Sequence, residues 1–164
     1  MTFKNHILVL ILAMLSLLSA IDARAQKEVK KVNDKIFVID HNEKTVYNES
    51  NVSFNDKQYE AYEPQRFEVR NWQIVKEAVK SSLSREKLQK TSKKSFGLII
   101  NCNYDGNIES IEFMFPKDIF LSVEEIAKIE SNLKNRKFQV LAHAKKEQDG
   151  IQLGIPCRMG AFLK

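Results

Sequence analysis

Residues 151–159 constrain the fold more than any other stretch of the chain. Ile151, Leu153, Ile155, Cys157 and Met159 fall on one side of an extended backbone, with Gln152, Gly154, Pro156 and Arg158 on the other. A period of two is that of a strand with one buried and one solvated face. Pro156 restricts it further. It has no N–H to give to a ladder, so it belongs on an edge strand with its nitrogen facing out.

Two more strands precede it. Residues 95–104 are largely apolar, and Asp105-Gly106 predicts a tight hairpin with both turn residues at positive φ. Residues 107–115 return with Ile111, Phe113 and Phe115 on one face, and Pro116 stops them. Ser122-Val123-Glu124-Glu125 then has the spacing of a capping box, flanked by Leu121 and Ile126 at the staple positions. Ile126, Ile129 and Leu133 line one face of the helix it starts, and Arg136 and Lys137 suit its C-terminal dipole. An earlier helix begins at Pro64 or is capped by Asn71, with Trp72, Val75, Val79 and Leu83 at helical spacing. Ser84 caps a short second piece through Lys90.

The order helix, strand, turn, strand, helix, strand predicts a two-layer α+β unit. Its second helix runs back along the sheet, so strand order 2-1-3 makes a three-stranded, wholly antiparallel sheet. Residues 35–40 and 44–47 add a small N-terminal β-hairpin around His41-Asn42-Glu43. Residues 26–33 are charged and aperiodic, which predicts a mobile arm, and 48–63 carry no clear period.

The first 25 residues bear on destination. Lys4 and His6 precede an apolar run of about a dozen residues, 7–18, and Ala23-Arg24-Ala25 places small residues where a signal peptidase reads. The run is short beside the ~20 residues of a membrane span. No cysteine stands directly after its apolar core, so no lipid anchor is indicated. The expectation is a cleaved signal at 1–25 with Gln26 as the mature N-terminus, the alternative being a retained anchor. An N-terminal arm and hairpin would then occupy 26–63 and the α+β domain 64–164. The exported chain is expected in the periplasm or outside the cell, with no transmembrane segment after cleavage.

Charge narrows the partners. The net charge of +5 falls to +4 once Lys4, Asp22 and Arg24 leave, and the lysines are interleaved with acids. Nucleic-acid binding asks for a clustered basic stripe and is not indicated. His41 and His143, with the two cysteines, lack zinc-ligand spacing, and no cofactor motif is present. Cys102 and Cys157 lie on apolar strand faces, unlike a thiol paired with an imidazole. Glu124, Glu125, Asp105 and Asp149 are accounted for by the helix start and by turns. The sequence therefore points away from catalysis.

An even cysteine count in an exported chain suggests a disulfide. In the 2-1-3 order Cys102 and Cys157 would face each other, closing a loop worth ~4 kcal/mol in the chain-entropy account. The other reading is two buried free thiols acting as small apolar groups.

Residues 97–164, with the Trp72 helix ahead of them, resemble the TonB C-terminal domain family. The matching features are the apolar strand, Asp105-Gly106, the helix leading into Asn135-Arg136-Lys137-Phe138, then Asp149-Gly150 and the alternating last strand. The Pro-Ala that follows the aromatic in the family is absent; Gln139-Val140-Leu141-Ala142 stands there. The family's long Pro-rich spacer has no counterpart among three prolines, so force transmission is not implied. The resemblance implies protein binding, partly by adding a strand at a sheet edge. The expectation is an exported, non-catalytic module for an envelope protein, with Gln152, Gly154, Pro156 and Arg158 as the edge that pairs. A small-ligand or glycan-binding protein using Phe54, Tyr59, Tyr62 and Trp72 is the alternative.

Overall fold

A computed structural model describes residues 27–54 and 57–163, with the backbone alone at 52–54. The expected signal at 1–25 lies outside the described residues, as does the Phe54 side chain.

The strands are β1 (Lys27–Val32), β2 (Lys35–Asp40), β3 (Thr45–Asn48), β4 (Tyr59–Ala61), β5 (Phe67–Arg70), β6 (Ser95–Asn103), β7 (Ile108–Met114), β8 (Gln139–Ala142) and β9 (Gly150–Arg158). The helices are α1 (Gln73–Ser82), α2 (Arg85–Lys90) and α3 (Val123–Lys134), and 3-10 turns span Glu49–Phe54 and Met159–Leu163. Seven strands form one sheet in the order β1-β2-β3-β7-β6-β9-β4, and β5 pairs with β8 in a second. The large sheet is antiparallel throughout except at β4, which runs parallel to β9.

This corrects the expected three-stranded, two-layer α+β unit. The chain is mostly β, and the strands expected to make the whole sheet are its central β7-β6-β9 segment. The N-terminal hairpin is not a separate appendage, because β3 pairs with β7, Val46 lying opposite Phe113. The reason is burial. Phe37, Ile39 and Val46 form an apolar face too small to exclude water by itself, and extending the sheet places it in the common core. The expected mobile arm is instead β1, paired along its length with β2. Strands on both sides of residue 64 thus share one sheet.

The core lies between one face of the sheet and the helices. Leu98, Ile100, Phe113, Ile151 and Leu153 point into it from the strands, and Val79, Ile126, Ile129 and Leu133 meet them. The Ser122 box is formed: its Oγ accepts from Glu125 N at 3.2 Å, and its own N–H donates to Glu125 Oε2 at 2.8 Å. Ser84 accepts from Lys87 N at 3.1 Å and starts α2.

Two local expectations are corrected. Asn71 does not cap α1; it sits at φ 73°, and Trp72 holds the cap position without a side-chain bond. The segment after Pro64 forms β5 and pairs with β8, so helix begins only at Gln73. In the Asp105-Gly106 turn only Gly106 takes positive φ, at 84°. Gly106 N donates to Asn103 O at 2.9 Å, and Asn103 Oδ1 accepts from Asp105 N and Asn107 N. This is a three-residue hairpin loop closed by a left-handed glycine.

Candidate functional site

Among the described residues no α-helix packs on the second face of the sheet, although Asn51 of the Glu49–Phe54 turn lines its central hollow. Its centre carries Ile99 and Asn101 from β6, Ser110 and Glu112 from β7, Gln152 from β9 and Tyr47 from β3, around a hollow of about 350 Å³. Gln152 Nε2 donates to Asn101 Oδ1 at 3.1 Å, and Asn101 Nδ2 donates to Ser110 Oγ at 2.9 Å. These bonds make a polar ladder across three adjacent strands. Burial raises the pKa of Glu112 at the wall of the hollow, against a bond from Thr45 that lowers it, and the charge of Glu43 adds to the rise.

Nearer the Ser95 end the face turns apolar. Gly97 lies between Met114, its partner on β7, and Pro156, its partner on β9. With no side chain from Gly97, these neighbours flank a shallow trough of about 460 Å³, which Glu43 and Arg158 also line. Met114 is 42% exposed, so its thioether side chain is open to a partner at this end of the face. A further hollow of about 310 Å³ adjoins the trough at Ser95 and Pro116 and is lined by Lys93, Lys94, Lys117, Asp118 and Phe120.

The four expected edge residues divide. Gln152 is covered: β4 pairs with β9 from Gly150 to Gln152, and Tyr62 N donates to Gln152 O at 3.0 Å. The chain leaves β9 after that point. Gly154, Pro156 and Arg158 are exposed, and no described strand pairs with their outer side. A β-carbon added to Gly154 would meet no atom within 4 Å. β9 is therefore an interior strand at one end and an edge strand at the other, which is how Pro156 fits in it. The opposite edge, β1, is guarded by Lys27, Glu28, Lys30 and Lys31.

The structure does not bring the two cysteines together. Cys102 lies opposite Ile151 and Cys157 opposite Phe96, six residues apart along the strand and so ~20 Å distant. The 2-1-3 order fixes neighbours but not register, and the register separates them. Both are buried free thiols, each pushed up to about 12 by burial, with Glu109 adding to the effect at Cys102.

Of the expected aromatics, Tyr59, Tyr62 and Trp72 are described, and they do not gather around one hollow. Tyr62 meets Trp72 edge-on at 6.0 Å, and Trp72 meets Phe138 at 5.6 Å, a cluster joined to the core. Tyr59 donates to Glu109 Oε2 at 2.5 Å. His41 faces Glu28 at 3.3 Å and His143 faces Glu68 at 3.8 Å, both at exposed positions. Among the described residues no group of three or more His, Cys, Asp and Glu is placed to hold a metal ion, and no helix is long and apolar enough to cross a membrane.

Two buried carboxylates hold the frame behind this face. Glu60 of β4 accepts from the Tyr104 hydroxyl and from Glu147 N, and Arg66 lies 2.6 Å from its other oxygen. The Tyr104 bond, then the Glu147 amide and Arg66, outweigh burial and hold its carboxyl below the usual range. Glu130 of α3 meets Lys35 at 3.2 Å, Asn48 Nδ2 at 3.2 Å and Lys134 at 3.4 Å, tying the helix to β2 and β3.

No protein-family model matches this chain, and no curated protein does. Among solved structures it is similar to a DUF5043 family protein from Bacteroides uniformis, with a TM-score of 0.65 and 14% identity. The match covers 81% of this chain and 85% of that one. At that identity the likeness is one of fold.

Proposed function

We propose that this protein is an exported, non-catalytic module that binds a protein of the cell envelope on the face of its sheet opposite the helices. The carrying observation is the Gly97 trough, an apolar depression beside the stretch of β9 that no described strand pairs with. An extended partner segment would seat a side chain between Met114 and Pro156. Its backbone would run along Gly154, whose outward groups suit strand addition. Pro156 limits that pairing to a few residues and deters indiscriminate edge-to-edge contact.

The test is affinity capture of the tagged protein from cross-linked native envelope, with two variants beside it. Gly97→Phe fills the trough, and a β-carbon there meets only ordinary contact, 3.8 Å from Met114 Cβ. Gly154→Pro removes an outward N–H while leaving the β6 ladder intact, since it has the same parity as Pro156. One dominant partner is expected with the unaltered protein, reduced at least tenfold by Gly97→Phe. Recovery of the protein alone, or capture indifferent to Gly97→Phe, overturns the reading. A partner lost with Gly97→Phe but kept with Gly154→Pro removes strand addition alone.

The polar hollow favours a second reading, a small polar ligand or glycan held by the Gln152-Asn101-Ser110 ladder. Asn101→Leu would abolish such binding and leave protein capture unchanged.

A further inference from the structure

Resting on the protein-binding reading, we infer that the partner segment is acidic, an extended peptide with carboxylates flanking an apolar residue. The basis is the charge around the trough. Lys93, Lys94 and Lys117 surround the hollow that continues it, and Arg158 lines the trough opposite Ser95, at the end where the hollow joins it. Two carboxylates, Asp118 and Glu43, line the same surface against these four cations. Among the described residues none of the three lysines is in an ion pair, whereas Lys87 close by is paired with Glu125 at 2.9 Å. Lys94 instead lies 5.2 Å from the centroid of the Phe120 ring, which keeps its charge at the wall of the hollow.

Three like charges gathered beside an apolar depression repel one another. An acidic ligand relieves that repulsion, and the field also steers its approach. The apolar trough favours a peptide over an anionic polysaccharide, which has no apolar side chain to seat between Met114 and Pro156. A second copy of this basic chain would add like charge and is disfavoured.

Random dodecapeptides displayed on phage and selected on the purified protein test the assignment. Selection runs in parallel on a variant carrying Lys93→Glu, Lys94→Glu and Lys117→Glu, and on Lys31→Glu as a distant control. The expected enriched peptides carry Asp or Glu beside a Leu, Ile, Val or Phe. They should bind the triple variant at least tenfold more weakly, with affinity falling as salt rises. The Lys31→Glu control should bind normally. Basic or neutral consensus peptides, acidic peptides indifferent to the triple substitution, or no enrichment at all would each overturn it. Binding of an anionic polysaccharide, heparin as probe, in place of acidic peptides would also overturn it. Failure here is separable from failure of the docking reading. If envelope capture stays sensitive to Gly97→Phe but insensitive to the triple substitution, only the acidic assignment falls.

Discussion

At the residue scale, glycines and cysteines carry the sharpest consequences. A β-carbon on Gly106 would stand 1.9 Å from Phe138 O, and φ there is 84°. Both the clash and the left-handed backbone oppose any other residue. Gly106→Ala should lower stability by at least ~1–3 kcal/mol, read as a drop in urea midpoint with unchanged m-value. A midpoint within error of the unaltered protein would contradict the tight approach. The thiols of Cys102 and Cys157, raised to about 12 by burial, should resist a thiol reagent at pH 8 in the native protein. Two thiols should then appear in denaturant without reductant; none would mean the cysteines are joined after all. Gly106 was legible from Asp105-Gly106. Gly97 was not, because a glycine inside a strand announces a gap without saying what borders it.

At the scale of elements, local chemistry was read well where it acts locally. The Ser122 box depends on residues three apart, and both of its bonds form. Ser122→Ala should cost ~1 kcal/mol in a urea titration while leaving the circular dichroism at 20 °C unchanged. An unaltered midpoint would show that packing alone holds the start of α3. The misreadings fall on elements set by distant partners. β1 is six residues with four charges, and only Lys35 to Asp40 across the ladder makes it a strand. β4 has three residues and exists through β9, ninety residues later. Phe67 is fully buried, yet β5 was hidden behind Pro64 because its partner is β8. The lysine hollow is of the same kind. Lys93 and Lys94 are adjacent in sequence, but Lys117 reaches them only because β6 and β7 lie side by side.

At the scale of the whole molecule, buried carboxylates tie distant segments and make stability depend on pH. Asp40 is held low first by the Glu43 amide and then by Lys27 and the Asn42 amide, and Glu60 first by the Tyr104 hydroxyl. A carboxyl depressed on folding contributes stability above its unfolded pKa near ~4, lost as pH falls through the folded value. Glu112 is raised by burial, so its contribution runs oppositely, favouring the fold when protonated and opposing it as pH rises. The urea midpoint should therefore fall from pH 5 to pH 3, and Glu60→Gln should lower it at pH 7 while flattening that acid limb. A limb as steep as before would mean Glu60 is not what titrates. By itself the sequence determined the alternating strands β6, β7 and β9, the hairpin glycine, the capped helix α3 and which side of those elements is apolar. These follow from spacings of two, three or four residues, where neighbours in the chain are neighbours in space. Only the tertiary structure decided that seven strands share one sheet, that Cys102 and Cys157 stand apart, and that Gly97, Met114, Pro156 and the lysines meet on one surface. Those outcomes rest on register and on pairings between residues far apart in sequence, and burying the whole apolar surface at once selects them, not any local preference.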